Sequence, residues 1–210
     1  MEIEVKYSMR SKETAEKVWE DKILAKMEDA DSREKLYMKS AYFDTDDYVL
    51  SRNDIAFRVR MEGARVVASL KWGGKNDGGL HKREEINVPM DDEACFLSPD
   101  PSVFKESEIG KNILRLIDGR PLINLMEIGY LRSRFRIDTG KSLIEISIDE
   151  GELITENGSE PISEIELELF SGDVAELMQI GDDLRERYDL EEEARSKYAR
   201  GLKLLNMGTK

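Results

Sequence analysis

The sequence begins Met1-Glu2-Ile3-Glu4-Val5-Lys6-Tyr7, and this alternation of charged and apolar residues indicates how the chain folds. Side chains of a β-strand point alternately to opposite faces of the sheet. Glu2, Glu4 and Lys6 therefore share one face of a predicted strand, and the apolar residues between them share the other. A single strand of this kind is typical of an ordinary sheet with one solvated face.

The same alternation recurs in six later segments. They are Phe57-Arg58-Val59-Arg60, Ser69-Leu70-Lys71-Trp72, Arg83-Glu84-Glu85-Ile86-Asn87, Arg132-Ser133-Arg134-Phe135-Arg136, Glu145-Ile146-Ser147-Ile148-Asp149 and Glu164-Ile165-Glu166-Leu167-Glu168-Leu169. Carboxylates dominate the charged rows near the two ends of the chain, whereas Arg and Lys dominate those in the middle. A merely solvated face would mix both signs with Ser, Thr and Gln. We therefore predict that the rows face one another across an enclosed interior, where carboxylates would hold a metal ion and cations a polyanion.

These segments predict an α+β fold, an eight-stranded antiparallel β-barrel that forms a tunnel, with helices packed outside. The strands after the first are predicted at residues 38–44, 55–62, 65–71, 82–88, 128–137, 143–151 and 161–170. Helices are predicted at residues 11–28, 173–188 and 192–205, and residues 89–121 are predicted as helix and loop. No internal repeat or linker interrupts the pattern. Residues 1–205 are therefore predicted to form a single domain, followed by a tail at residues 206–210.

The composition limits the partners of the protein. The 210 residues carry a formal net charge of −13, which argues against nonspecific binding to nucleic acids or membrane surfaces. No apolar stretch approaches the roughly 20 residues that span a bilayer, and the N-terminus does not resemble a signal peptide. The sequence thus predicts a cytoplasmic protein, and it leaves a homodimer open.

Metal-binding residues other than carboxylates are scarce. Cys95 is the only cysteine and His81 the only histidine, which excludes an internal disulfide, a Cys-based zinc site and a histidine cluster. A metal ion would need oxygen ligands, which favours Mg²⁺, Mn²⁺ or Ca²⁺ over zinc. We predict an incidental or structural role for Cys95 and an exposed position for His81. Residues 73–79, although rich in glycine, are predicted as a flexible loop because they lack the spacing of a phosphate-binding loop.

The chain resembles the CYTH superfamily, also called triphosphate tunnel metalloenzymes, over essentially its whole length. The Glu-x-Glu-x-Lys motif of that family stands here as Glu2, Glu4 and Lys6. The other matching motifs, in order, are Tyr42-Phe43-Asp44-Thr45, Arg58-x-Arg60, Lys71, Arg83-x-Glu85, Arg134-x-Arg136, Glu145 with Asp149, Glu164-x-Glu166-x-Glu168 and Ser196-Lys197. Within the superfamily, the chain looks most like the bacterial inorganic triphosphatases. Many of those carry a helical CHAD domain after this one, which we expect this chain to lack.

The resemblance implies a metal-dependent hydrolase that cleaves the terminal phosphate of inorganic triphosphate (tripolyphosphate) inside the tunnel, with one or two Mg²⁺ or Mn²⁺ ions. The implied phosphate-binding residues are Lys6, Arg58, Arg60, Lys71, Arg83, Arg134, Arg136 and Lys197. The implied metal ligands are Glu2, Glu4, Glu166 and Glu168, followed by Glu145, Asp149 and Glu164. Glu4, Glu85 and Lys197 are the implied catalytic residues.

Several alternatives stay open at this point. Glu145 and Glu164 could serve only to balance the arginines, and Glu85 could pair with Arg83 and hold it in place. The family also contains class IV adenylyl cyclases and thiamine triphosphatases, and a non-enzymatic polyphosphate-binding module is the alternative of a different class. A thiamine triphosphatase would need an aromatic or acidic site at the tunnel mouth, whereas we predict that Trp19 and Trp72 pack in the core.

Overall fold

The computed structural model of the chain describes residues 2–77, 80–91 and 96–207. Cys95 and the last three residues of the predicted tail lie outside the described residues, as do residues 78–79 of the predicted glycine-rich loop. The described start of the tail is packed rather than free: the Met207 amide donates to the Leu202 carbonyl (2.9 Å), and its side chain is partly buried. Among the described residues, no helix has the length and apolar content needed to cross a bilayer.

In the described part of the chain, nine strands form one sheet. They are β1 (Glu2–Ser8), β2 (Glu34–Asp44), β3 (Ile55–Glu62), β4 (Arg65–Asp77), β5 (Leu80–Met90), β6 (Ile123–Asp138), β7 (Leu143–Thr155), β8 (Gly158–Ser171) and β9 (Glu191–Glu192). The α-helices are α1 (Lys12–Trp19), α2 (Val49–Arg52), α3 (Glu108–Ile117), α4 (Val174–Tyr188) and α5 (Lys197–Leu204), and short 3₁₀ helices lie at Leu24–Lys26 and Pro101–Phe104.

Eight of the strands close into an antiparallel barrel. They follow the order β5-β4-β3-β2-β6-β7-β8-β1, and β1 pairs back to β5 from Glu2 opposite Arg83 to Val5 opposite Leu80. The two-residue strand β9 pairs with the end of β1. The predicted eight-stranded tunnel with helices outside is therefore confirmed.

The apolar rows of the strands point outward and form three buried clusters beneath the helices. One lies under α1 and α4, the second under α3, and the third beside α5. Phe57, Phe135 and Ile146, with 1% exposure or less, are typical members of the first two clusters. Burying a side chain of this size contributes about 1.5–3 kcal/mol. Because the stabilising core lies outside the barrel, the inward positions are free to carry charge.

The strand directions define two different ends of the tunnel. At one end, which we call the mouth, lie Arg65, Asn87 and Phe170, on β4, β5 and β8. At the other, the covered end, the first turn of α5 closes over the barrel. A side chain on Gly201 would overlap Met126, so the glycine allows α5 to lie directly against β6.

Two helix boundaries differ from the prediction. The first helix ends at Trp19, because the Asp21 carboxylate accepts hydrogen bonds from the amides of Ile23 (2.7 Å) and Leu24 (2.9 Å) and starts a separate 3₁₀ turn. The last helix begins at Lys197, since Ser196 caps it. Of the residues predicted as its start, Glu192 belongs to β9 and residues 193–196 form the connection to the helix.

The predicted flexible loop at residues 73–79 is wrong for its described part. Strand β4 continues to Asp77, with a change of register between Trp72 and Lys75 where it passes β5. Gly73 lies there at φ +63°, a conformation in the left-handed region that favours glycine. The glycines thus allow a bulge in a long strand rather than a loop.

Candidate active site

The barrel encloses a cavity of about 300 Å³ whose lining comes from all eight barrel strands and from the first turn of α5. All but three of the sequence-predicted site residues line it. Those present are Glu2, Glu4, Lys6, Arg58, Arg60, Lys71, Arg83, Glu85, Arg134, Glu145, Glu166, Glu168 and Lys197. Asp149, Glu164 and Arg136 are the three that do not line the cavity.

A row of carboxylates crosses three neighbouring strands. Glu145 of β7 lies directly opposite Glu168 of β8, which lies directly opposite Glu4 of β1. Like charges placed opposite each other in a sheet are destabilising, so this row stores repulsion that a bound cation would relieve. Among the described residues, no basic group lies within ion-pair distance of Glu168.

The electrostatics of this row follow from burial. Burial raises the pKa of Glu168 to about 7, and the neighbouring charges of Glu2 and Glu4 act in the same direction. Burial also raises the pKa of Glu4, despite the Lys6 ammonium 2.9 Å from its carboxylate. Glu2 differs: burial acts to raise its pKa, but Lys71, 2.7 Å away, lowers it to about 2.

The protonation of Glu168 makes the stability of the metal-free protein depend on pH. Its folded-state pKa of about 7 exceeds the ordinary value of 4.5, so the folded chain holds this proton more tightly than the unfolded chain. The resulting stability is fully present below about pH 4.5 and is lost as the pH rises to about 7, and it amounts to about 3 kcal/mol. We therefore expect the Tm in EDTA to rise more between about pH 8 and about pH 5.5 in wild type than in Glu168→Gln. Equal changes in the two proteins would contradict this assignment.

The wall formed by β3, β4 and β5 is cationic. Arg58 donates to the Ser69 hydroxyl (3.2 Å) and to Glu85 (3.4 Å), and Lys71 lies 3.4 Å from the other oxygen of Glu85. The buried Nε atoms of Arg58 and Arg60 have no hydrogen-bond acceptor among the described residues. Both arginines line the same cavity as the carboxylate row.

Arg83 is the least constrained cation of that wall. No acceptor contacts its guanidinium within the described ranges, and Glu85 pairs with Arg58 and Lys71 instead of with Arg83. The guanidinium occupies the space where a side chain on Gly74 would lie, with Nε 2.6 Å from that position. The glycine therefore lets Arg83 lie across the wall with its donors unused.

The covered end holds a dense network of buried ion pairs. The Lys197 ammonium lies 2.9 Å from Asp149, 2.8 Å from Glu164 and 2.7 Å from Glu166. Arg132 donates to both oxygens of Asp149 (2.7 Å each) and to Glu166 (2.6 Å). Arg200, which the sequence analysis did not single out, pairs with Glu164 and Glu160. Lysine and arginine side chains therefore balance the charges of Asp149 and Glu164, and neither carboxylate lines the cavity.

Arg136 and Arg132 exchange places relative to the prediction. Arg136 lies on the inward side of the alternating row of β6, but it is beyond the rim of the barrel, where it pairs with Asp29 (3.3 Å). Arg132, two inward steps earlier on β6, lines the cavity. The alternating row contains both residues, and only Arg136 was predicted to bind phosphate, because alternation alone does not tell which steps of a long strand lie inside the tunnel.

His81 is buried, with 5% exposure, so the prediction of an exposed position is wrong. Its Nε2 donates to the backbone carbonyl of Glu193 (3.1 Å) in the segment after β9. Burial and the nearby Lys6 charge lower its pKa to about 4, so the ring is neutral at pH 7. The burial follows from the β1–β5 pairing that closes the barrel, which a local sequence pattern does not show.

The Tyr42-Phe43-Asp44-Thr45 motif supports the covered end. Asp44 is fully buried and accepts hydrogen bonds from the amides of Leu50 and Ser51 (2.8 Å each) at α2. Ser51 in turn bonds the Tyr198 hydroxyl (2.7 Å), whose ring stacks on Tyr42 at 4.9 Å. The motif thus connects α2, the tunnel wall and α5.

Comparisons with known proteins identify related sequences and folds. A family model described as the CYTH domain matches residues 1–202. An inorganic triphosphatase from Haemophilus influenzae is 28% identical over 173 residues, which make up 80% of this chain and 46% of that protein. The chain therefore spans less than half the length of that curated relative.

Solved structures show the same fold at low sequence identity. A Hippeastrum protein, described as a candidate adenylyl cyclase that reveals a dominant triphosphatase activity, matches with a TM-score of 0.72 and 19% identity over 97% of this chain and 96% of the other. The triphosphatase of the mimivirus capping enzyme matches with a TM-score of 0.51 and 14% identity over 87% of each chain. At these identities, the likeness concerns the fold alone.

Proposed function

The chain belongs to the CYTH family, and we propose that it is a metal-dependent hydrolase that removes the terminal phosphate of inorganic triphosphate inside the tunnel. The observation that carries the proposal is the opposition of two walls across one cavity of about 300 Å³. One wall is the carboxylate row of β7, β8 and β1, and the other is the cationic wall of β3, β4 and β5. A small polyanion bound together with a divalent cation satisfies both walls at once.

In this proposal, the cationic wall binds the phosphate groups. Arg58, Arg60 and Arg83 line the cavity, and a guanidinium can hold two phosphate oxygens at a time. Lys71 on β4 and Arg134 on β6 add positive charge to the lining of the cavity. Hydrolysis of a triphosphate depends chiefly on neutralising its charge and on positioning its terminal phosphoryl group.

The carboxylates fit a hard divalent cation, which prefers oxygen ligands. Glu2, Glu4, Glu145 and Glu168 would hold it, whereas three cations already neutralise Glu166. Within the described ranges, no three such side chains are already arranged at ligand geometry, because Glu2 and Glu4 lean towards lysines. When bound, Mg²⁺ or Mn²⁺ supplies charge neutralisation at the phosphate oxygens and acidifies a water.

Residues of the chain itself would orient the attacking water and position the phosphate-binding groups. Glu4 and Glu168 face the cavity and can accept a hydrogen bond from the attacking water, which orients it. Glu85 holds Arg58 and Lys71 and therefore positions the cationic wall. The three N–H donors of Lys197 face three carboxylates, so we assign it a positioning role rather than direct phosphate binding.

Arg83 provides a test that separates binding from stability. We expect Arg83→Met to weaken tripolyphosphate binding by roughly 10- to 100-fold, because a hydrogen bond to a charged group contributes about 1.5–3 kcal/mol. The Tm should change little, since no described acceptor is left unpaired. Arg132→Met, which strips Asp149 of two bonds, is the contrasting variant and should lower the Tm clearly. A large fall in the Tm of Arg83→Met with unchanged binding would contradict this role.

The function itself is tested by phosphate release from tripolyphosphate, ATP and thiamine triphosphate, with Mg²⁺, with Mn²⁺ and with EDTA. We expect rapid release from tripolyphosphate that needs one of the metals. Formation of cyclic AMP from ATP, without phosphate release from tripolyphosphate, would overturn the proposal in favour of a cyclase. Tight tripolyphosphate binding without any turnover would overturn it in favour of a binding module.

A further inference from the structure

An exposed apolar patch lies on the outer face of the barrel, where β2 and β6 run side by side. Leu131 of β6 stands between Tyr130 and Arg132, which line the cavity, so its side chain points away from the tunnel. Tyr37 of β2 lies directly opposite Leu131 and shares this outer face. Tyr37 is 60% exposed and Leu131 44%, and among the described residues neither belongs to an apolar cluster. The patch is therefore a candidate interaction surface.

Gly129 makes the patch flat. It is the next outward residue of β6 after Leu131, and the Tyr37 hydroxyl occupies the position that a side chain on Gly129 would take. The tyrosine ring therefore lies across β6. A flat sheet face can pack on a second sheet face about 10 Å away, with the strands of the two sheets nearly aligned. The shape of the patch thus favours another sheet as its partner.

Opposite charges flank the patch at one level. Lys39 of β2 lies opposite Gly129, and Gly129 lies opposite Glu152 of β7. Strand β6 therefore separates a basic strand from an acidic one on the same face. Lys39 already pairs with Glu127 (3.1 Å), but both of these side chains are more than 40% exposed, and an exposed pair contributes little. The lysine can consequently exchange partners at low cost.

We propose that this outer face is a docking surface for a second copy of the chain, in a dimer whose two-fold axis runs along β6 between the two sheets. Rotation about that axis exchanges the two sides of β6 and keeps the level along the strand. Lys39 of each copy then faces Glu152 of the other copy, and Leu131 faces Leu131. An axis running across the strands would instead oppose lysine to lysine.

The symmetry of the charges is what favours a second copy over a different protein. A two-fold interface uses the same patch on both subunits and must be complementary to itself. This face meets that condition, because Lys39 and Glu152 lie at the same level and each is one strand away from β6. The inference is independent of the proposed function, since the face lies outside the tunnel.

The size of the face indicates a reversible dimer. Strands lie roughly 4.8 Å apart and outward residues follow at steps of roughly 7 Å, so the face from β2 to β7 is only a few residues wide and long. Specific interfaces usually bury about 800 Å² on each partner. The expected dissociation constant is therefore in the micromolar range.

Analytical ultracentrifugation over a wide range of protein concentration, at physiological salt, tests the proposal. We expect a reversible equilibrium between monomer and dimer in wild type. Lys39→Glu and Glu152→Lys should each weaken self-association by roughly 10- to 100-fold, because each places like charges opposite one another twice in the dimer. An equimolar mixture of the two variants should dimerise again, since every introduced charge then faces its opposite.

Matched controls separate this effect from a change of net charge or of folding. Lys17 and Glu13 form an exposed pair on α1, so Lys17→Glu and Glu13→Lys alter the net charge by the same amounts and should leave self-association unchanged. Phosphate release per chain should stay at the wild-type level in all four variants, because none of the substituted residues lines the cavity.

Three results would overturn the proposal. Wild type that stays monomeric at every concentration would exclude a second copy and leave the face to a different partner. Self-association that survives both charge reversals would assign the dimer to another surface. A mixture of Lys39→Glu and Glu152→Lys that fails to dimerise, while each variant keeps the wild-type Tm, would contradict the opposition of these two residues.

Discussion

Replacement of Lys197 by methionine is expected to lower the free energy of unfolding by about 3–5 kcal/mol, the usual cost of removing one partner from a buried ion pair. The Lys197 ammonium lies within 2.9 Å of the carboxylates of Asp149, Glu164 and Glu166. Methionine preserves much of the apolar stem but leaves these three carboxylates to share fewer cations. For a chain of this length, the Tm should fall by roughly 6–20 °C.

Thermal unfolding followed by circular dichroism checks this prediction. Lys17→Met is the matched control: Lys17 also makes an ion pair, with Glu13 at 2.8 Å, but its side chain is 59% exposed. An exposed pair of this kind contributes about 0.3–0.5 kcal/mol, so the control should unfold near the wild-type temperature. Equal Tm values for the two variants would show that the covered end is not held by its ion pairs.

The fold could be predicted because its signal is local. Strand β3 was predicted at the bounds that the structure shows, since alternation and the following Gly63 define both of its ends. The end of α1 could not be predicted from hydrophobic spacing, because the side chain of Asp21 competes for the amides of the next turn. The short strand β9 was missed for another reason: two residues carry no periodicity, and only the pairing with β1 defines it.

The site was predictable as a set of inward-facing residues but not as an arrangement. Alternation places Glu4, Glu145 and Glu168 on inward faces, yet it does not show that they are neighbours. Their alignment depends on the register of β7 and β8 with β1, which lies more than a hundred residues before them in sequence. The exposed ring of Phe170 was missed because an apolar residue at a strand end is normally assigned to packing. The distinction between Arg132 and Arg136 also depends on where the barrel ends.

The substitution Glu4→Gln should have the largest effect on activity. Glu4 is 7% exposed and lies in the middle of the barrel wall, opposite Glu168 on one side and His81 on the other. Glutamine has nearly the same shape but lacks the negative charge that a hard cation requires. Because a bound metal ion contributes several kcal/mol to transition-state stabilisation, we expect kcat/KM for tripolyphosphate to fall roughly 10²- to 10³-fold.

The thermal stability of the Glu4→Gln variant distinguishes a metal-binding role of Glu4 from a structural role. Removing the Glu4 charge relieves repulsion within the carboxylate row, and Lys6 keeps its second partner, Glu166, at 3.2 Å. The Tm of metal-free Glu4→Gln should therefore equal or exceed that of wild type. Added Mg²⁺ should raise the Tm of the variant less than it raises the Tm of wild type. Glu127→Gln, on an exposed carboxylate paired with Lys39, should alter neither quantity. A Glu4→Gln protein with wild-type turnover would remove Glu4 from the metal site, and one with a much lower Tm in EDTA would make it a structural residue.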